Sequence, residues 1–273
     1  MIKIKSDHEI ELLRIAGSIV YQTHQYLKPF IKEGITTKEL DTLAENFIRS
    51  KGATPSCKGY HGFPATLCTS INDEVVHGIP GKRKLKNGDI ITLDICACYK
   101  GYHGDSAWTY EVGEVSEDVK HLMKGTHEAL FAGLSQVKPG NRIGDISNAV
   151  ETVAKKYHLG VVRELCGHGV GHELHEDPDI PNYGKAGVGP LIKEGMVFAV
   201  EPMLNLGDRD VCMLDDGWTI VTYDEKPSAH FEHTVLVTKD GYEILTTGEW
   251  WYGKRRYNRN RREGSWNHSR WKI

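Results

Sequence analysis

Long apolar runs are missing from this chain, and no stretch comes near the roughly 18 residues that a membrane-spanning helix needs. The first residues, MIKIKSDHEIELLRIAG, place acids on every turn where a secretion signal needs an uninterrupted apolar segment. The expected compartment is therefore the cytoplasm. Cysteine is sparse and unpatterned, at positions 57, 68, 96, 98, 166 and 212 with no CxxC pair, so reduced thiols are expected rather than a disulfide framework. Proline (10) and glycine (29) are scattered without period, and with 39% hydrophobic and 26% charged residues this excludes collagen-like and disordered classes.

What is present is a chain of 273 residues, long enough to bury roughly three quarters of its unfolded surface without staples. The net charge of -3 conceals an asymmetry: residues 254–273 hold eight Lys/Arg and one Glu, leaving 26 basic against 36 acidic residues before them. Body and tail are expected to do different jobs.

The body repeats itself. KNGDIITLD (86–94) is echoed by KEGMVFAVE (193–201), with lysine, glycine and terminal carboxylate in register at an offset of 107. Lys28-Pro29 with Thr37-Lys38-Glu39-Leu40 is echoed by Lys138-Pro139 with Ile143-Gly144-Asp145-Ile146. Each half opens with two helical segments. Ser6-x-x-Glu9 and Thr36-x-x-Glu39 are capping boxes ahead of apolar residues at helical spacing, and Gly52 closes the second helix. Segments 117–136 and 145–158 form the equivalent pair. Strands are expected at 66–71, 89–98, 105–112, 197–204, 218–223 and 230–238, with Asp216-Gly217 as a two-residue hairpin turn. Helices grouped before antiparallel strands predict an α+β fold of two halves, about 7–112 and 117–238, facing across a pseudo-twofold axis with a shared cleft. The expected organisation is one catalytic domain, 1–249, and a basic aromatic tail, 250–273.

The chemistry is read from acids in apolar strands. Asp94 and Asp105 flank Tyr99-Lys100-Gly101, and a hairpin centred between 99 and 100 sets them directly opposite, their Cβ atoms about 5 Å apart. Glu201 stands at the position equivalent to Asp94, and Glu232 lies in the following strand, HFEHTVLV. A buried quartet of about four negative charges must either protonate or hold cations, and two divalent ions balance it. His168, between glycines in CGHGVGHELHEDP, is the fifth ligand candidate, with His175 a loop histidine facing the cleft. Oxygen ligands with one imidazole suit Mn(II), Fe(II), Co(II) or Zn(II). Cys96 and Cys98 read as small residues of the core.

In order, Asp94, Asp105, His168, Glu201 and Glu232, with NDEVVHGIP around His77 and GHGVGHELHEDP around His175, closely resemble the type I methionine aminopeptidases over residues 1–250. The resemblance implies the pita-bread (creatinase/aminopeptidase) fold, a central antiparallel sheet with outer helices, and removal of initiator methionine from new polypeptides ahead of a small second residue. By the same resemblance, Asp94 chelates one metal, His168 and Glu201 hold the other, and Asp105 and Glu232 bridge the two. Glu201 also shuttles protons, His175 stabilises the tetrahedral oxyanion and His77 contacts the scissile amide. Cys57, Tyr60, Phe63, Cys68, Leu174 and Trp218 fall where the family lines its methionine pocket, an apolar, aromatic and sulfur-containing cup suited to a thioether. Phe63 and Leu174 stand where Tyr and Phe are often found. Only 32 residues separate His168 from Glu201, too few for the helical insertion of the type II enzymes, and no cysteine-rich extension precedes the catalytic part. The implied protein is a compact bacterial-type monomer.

The tail, WWYGKRRYNRNRREGSWNHSRWKI, lies outside the resemblance, and its interleaved cations and aromatics suit ribosomal RNA. Two alternatives frame the reading. A prolidase or proline-specific aminopeptidase has a similar ligand set but usually carries a separate N-terminal domain. A non-catalytic pita-bread module that binds RNA or ribosomes is disfavoured by five intact ligand positions.

Overall fold

A computed structural model describes residues 1–248; the tail read from the sequence, 250–273, lies outside them. Among the described residues there are four α-helices, α1 (Asp7–Leu27), α2 (Thr37–Ser50), α3 (Glu117–Leu134) and α4 (Ile143–Lys156). Both capping boxes close: the Ser6 and Thr36 amides each donate to the glutamate three residues on, at 2.8 Å. Helix α1 buries the stripe expected of it, Leu12, Leu13, Ala16, Ile19, Val20 and Leu27; of the expected Leu40, Leu43, Ala44 and Phe47 on α2, Leu40 and Ala44 are buried, Leu43 and Phe47 are half-buried, and Ile48 is buried as well.

The first half contributes strands β1 (Thr54–Pro55), β2 (Leu67–Ile71), β3 (Glu74–Val76), β4 (Ile90–Tyr99) and β5 (Tyr102–Glu111). The second contributes β6 (Gly160–Val161), β7 (Cys166–Gly169), β8 (Glu176–Pro181), β9 (Val197–Val200), β10 (Met203–Asn205), β11 (Val211–Met213), β12 (Ile220–Thr222), β13 (Ser228–His230), β14 (His233–Thr238) and β15 (Gly241–Ile244). Strand β4 pairs with β1, β2 and β5, and a second sheet runs β15-β14-β9-β7-β8. Two small three-stranded sheets, β13-β10-β6 and β11-β12-β3, complete the set. One apolar core gathers Ile91, Leu93 and Ile95 of β4 under α1 and α2, and another gathers Leu122, Leu130, Ile146 and Val150 of α3 and α4 against Phe198 and Val235. Features recur at the offset seen in the sequence. Gly88 and Gly195 both take positive φ, at 94° and 83°, and isolated bridges join Thr36 to Lys84 and Arg142 to Leu191.

The two large sheets meet along β5 through side chains rather than a continuous ladder. Thr234 Oγ1 accepts from the Asp105 amide at 3.0 Å and donates to the Asp105 carbonyl at 2.7 Å. Thr109 Oγ1 does the same for His230, donating to its carbonyl and accepting from its amide, both at 3.0 Å. Ser106 Oγ donates to the Glu232 carbonyl and the Glu232 amide donates to the Ala107 carbonyl. Hydroxyls thus satisfy backbone groups that no neighbouring strand reaches.

Several strands go beyond those expected from the sequence, among them β8 and also β7, which carries His168 where a tight loop is expected, and three further details differ. The β4–β5 hairpin turns at Lys100-Gly101, because a two-residue type I′ corner needs positive φ at both residues and these two supply it, at 49° and 85°. Asp94 therefore faces Ala107 while Cys96 faces Asp105, so the two aspartates are diagonal neighbours on one face rather than directly opposite. Strands 197–204 and 230–238 are each broken. Pro202 has no amide for a ladder, and the Phe231 and Glu232 amides turn to Pro202 and Ala107, so each strand leaves one sheet and enters another. Finally, the Asp216-Gly217 turn is wider than two residues, since pairing of β11 with β12 ends at Met213 and Ile220.

Candidate active site

The breaks in the strands bring the acids together. Glu201 and Glu232 sit at the two points where the chain changes sheets, and Asp94 and Asp105 project from the common face of β4 and β5 toward them. His168 comes from β7, which lies between β9 and β8 in the sheet. These five residues line one cavity of about 380 Å³, at the small end of ligand-site sizes. Oxygen or nitrogen atoms of Asp105, His168 and Glu232 lie within 4.8 Å of one another, and so do ligand atoms of Asp94, Cys96 and Asp105. Asp105 belongs to both groups. His168 Nε2 lies 3.4 Å from Glu201 Oε1 and 3.8 Å from Asp105 Oδ2.

The electrostatics show what this cluster lacks. Burial pushes the Asp94, Asp105, Glu201 and Glu232 carboxyls well above the usual carboxylate range, and neighbouring acid charges push Asp94 and Glu232 further. Burial drives His168 down to about 3, helped by His175. Its Nδ1 lies 2.9 Å from the Gly169 carbonyl; a carbonyl only accepts, so Nδ1 carries the proton and Nε2 turns a lone pair toward the carboxylates. Glu232 Oε1 is buried with no hydrogen-bond partner. Among the described residues, no Lys or Arg lines the cavity. Lone pairs and carboxylates converging without a Lys or Arg from the described residues form the donor set of a divalent metal centre, and oxygen with imidazole is the chemistry such ions take.

Beside the acids is an apolar cup. Cys57, Phe63, Ala65, Cys68, Cys96 and Leu174 form one buried cluster, with Tyr60, Ile79 and Trp218 packed against it. Phe63 meets Trp218 edge to face at 5.1 Å between ring centroids. Trp218 is positioned by the loop before β12, where Asp216 Oδ1 accepts from the Trp218 and Thr219 amides, both at 2.8 Å. The Tyr60 hydroxyl lies 2.8 Å from His175 Nδ1, and the His175 ring stands 4.1 Å from that of His168. His77, with φ of 60°, lines the same cavity and its ring faces the edge of Trp218. Burial lowers both His77 and His175.

The structure thus gathers every described residue proposed for the site, ligands, histidines and cup alike, around a single cavity. It adds two that the sequence reading passed over. Cys96 is buried, as expected of a core residue, yet its Sγ faces Asp105 Oδ1 at 2.9 Å; its alternation with Asp94 along β4 was the available signal. His230 has both ring nitrogens buried without a hydrogen bond and sits with Nε2 3.5 Å from Glu201 Oε2. The break at 231–232 hides it, because alternation from Glu232 stops there.

A centre of this kind on this fold defines a metallopeptidase, and residues 11–239 match the family model described as metallopeptidase family M24. The chain is 55% identical over 246 residues to methionine aminopeptidase 1 of Bacillus subtilis, covering 90% of this chain and 99% of that one. It is 48% identical to the methionine aminopeptidase of Clostridium perfringens, with the same coverage. The crystal structure of methionine aminopeptidase from Rickettsia prowazekii superposes with a TM-score of 0.89 at 44% identity, covering 90% of this chain and 100% of that chain. Prolidase from Pyrococcus furiosus shares the fold, with a TM-score of 0.74 at 24% identity, but the match covers only 66% of its length. The chain belongs to metallopeptidase family M24 and, within it, to the methionine aminopeptidases. Its fold is the pita-bread fold, and it is a metal-dependent hydrolase.

Proposed function

We infer that this enzyme removes the initiator methionine from nascent polypeptides, with two divalent ions, drawn from Mn(II), Fe(II), Co(II) or Zn(II), held by the acid cluster. The observation that carries this reading is a set of four buried carboxylates and a neutral imidazole converging with no Lys or Arg of the described residues among them, next to a sulfur-rich and aromatic cup. In this proposal Asp94 chelates one ion, His168 and Glu201 the other, and Asp105 and Glu232 bridge. The membership of Asp105 in both ligand groups supports the bridging role.

When bound, the ions supply Lewis acidity and an activated water at neutral pH. The residues of the chain do the rest. The cup of Cys57, Tyr60, Phe63, Cys68, Leu174 and Trp218 takes the methionine side chain, excluding water and fixing the scissile carbonyl beside the acids. Glu201 accepts a proton from the attacking water and returns it to the departing amine. His175 accepts the Tyr60 hydroxyl proton in a hydrogen bond at Nδ1, which leaves a protonated Nε2 to meet the developing oxyanion. His77 contacts the scissile amide from the opposite wall.

The test compares Met-Ala-Ser with Xaa-Pro peptides on protein stripped by chelation and reloaded with Mn(II) or Co(II). Release of methionine only from the reloaded enzyme supports the reading; cleavage confined to Xaa-Pro would replace it with the prolidase alternative. Metal analysis showing about two ions per chain supports the dinuclear centre. The described residues contain no helix long and apolar enough to cross a membrane, and we place the enzyme in the cytoplasm as a monomer. For residues 250–273 the proposal is contact with ribosomal RNA near emerging chains. Truncation at 249 then weakens salt-sensitive ribosome cosedimentation and leaves tripeptide cleavage intact; unchanged cosedimentation would remove that role.

A further inference from the structure

The turn at Lys100-Gly101 places Cys96 directly across from Asp105. Cys96 is 3% exposed, and its Sγ lies 2.9 Å from Asp105 Oδ1 and 3.8 Å from Asp94 Oδ1. These two are the acids that hold the first ion in the function proposed above. Sulfur and carboxylate oxygens therefore form one compact group, all within 4.8 Å. A second observation marks the same space as a ligand position: Glu232 Oε1, buried and without a partner, lines the same cavity. Cys98, two residues along the strand, is paired with His103 instead and does not line the cavity.

We propose that Cys96 is a metal ligand, so that the ion held by Asp94 and Asp105 has one sulfur donor and the centre favours thiophilic ions over Mn(II). The site would otherwise be all oxygen and imidazole. On ligation the Cys96 S–H bond breaks, a metal–sulfur bond forms and the proton passes to solvent; no electron moves and the ion keeps its charge. Thiolate donors suit Zn(II) and Fe(II) better than Mn(II), whose preference is for carboxylate, carbonyl and water oxygens. The consequence is a metal preference set from the wall of the apolar cup, where Cys96 packs with Cys57, Cys68 and Leu174.

This inference rests on the metal-site reading, and the experiment separates the two. Full-length protein is stripped with a chelator and titrated anaerobically with Co(II). Expected is a near-ultraviolet thiolate-to-cobalt charge-transfer band together with visible ligand-field bands; Cys96→Ser loses the first and keeps the second, while Cys57→Ser and Cys68→Ser keep both. X-ray absorption at the zinc edge of the wild type is expected to show a sulfur shell near 2.3 Å, a readout that needs no variant. Competition between Zn(II) and Mn(II) should shift toward Mn(II) by about 10–100-fold in Cys96→Ser, at least the loss seen when an outer partner of a ligand is removed. Ligand-field bands without charge transfer in the wild type, or a charge-transfer band that survives Cys96→Ser, would overturn the thiolate and leave the metal centre standing. Failure to bind Co(II) at all would overturn the centre itself.

Discussion

The four carboxylates carry opposite stability consequences with and without metal, which makes them measurable one at a time. Glu232 in metal-free protein is held above its usual range by burial and by the charges of Asp105, Glu201 and Asp94. A carboxyl raised in the folded state binds its proton more tightly there than in the unfolded chain. Its favourable contribution is therefore present below the unfolded value, about 4.3, and is lost as pH rises through the folded value. Glu232→Gln removes this liability. In chelator-treated protein the variant should gain stability relative to wild type between pH 5 and pH 8 in urea unfolding; a gap that stays constant or narrows would contradict the account. Catalysis reads out two other residues. Glu201→Gln is expected to lower kcat by about 10²–10⁴ as a lost proton shuttle, and His175→Ala by about 10²–10³ with a smaller change in KM, as a lost oxyanion donor. Steady-state assay on Met-Ala-Ser decides both.

At the scale of elements, the site depends on how β5 is clamped between α1 and the second sheet. Gly104 of β5 and Gly17 of α1 touch so closely that a Cβ on Gly104 would stand 2.6 Å from the Gly17 amide nitrogen. Gly104→Ala must push helix from strand, at a cost of about 1–3 kcal/mol in unfolding experiments. On the other edge, Thr234 serves both backbone groups of Asp105. Thr234→Val leaves a buried amide and carbonyl unpaired, costing about 2–5 kcal/mol, and loosens divalent metal binding by freeing the Asp105 backbone; Thr234→Ser, which keeps the hydroxyl, should retain most of both. Calorimetric metal titration with unfolding curves separates the two effects. Helices were the most legible elements, since caps and apolar spacing are local. The strands were less so: the hairpin expected to centre between residues 99 and 100 turns one residue later, at Lys100-Gly101, and the breaks at Pro202 and at Phe231 arise from partners remote in the chain.

For the molecule as a whole, the proposed ligand set draws Asp94 and Asp105 from one half and His168, Glu201 and Glu232 from the other, so bound metal would act as a clamp between them. Divalent ion at about 100 times its dissociation constant should stabilise the fold by about 2.7 kcal/mol, raising Tm by roughly 5–10 °C for a chain of this size. Thermal melts with and without chelator measure it, and an unchanged Tm would mean that the clamp is absent. The sequence by itself determined the helices, the paired-half plan and the four acids, with His77, His168 and His175, that line the cavity, because caps, periodicity and charged residues in apolar strands are written in adjacent positions. Only the tertiary structure decided that Cys96 rather than Asp94 faces Asp105, that His230 enters the cavity, and that Thr234 and Thr109 join the sheets. Those relations join residues far apart in the chain, and their geometry is set by turn conformation and sheet packing, for which no short stretch of sequence carries the instruction.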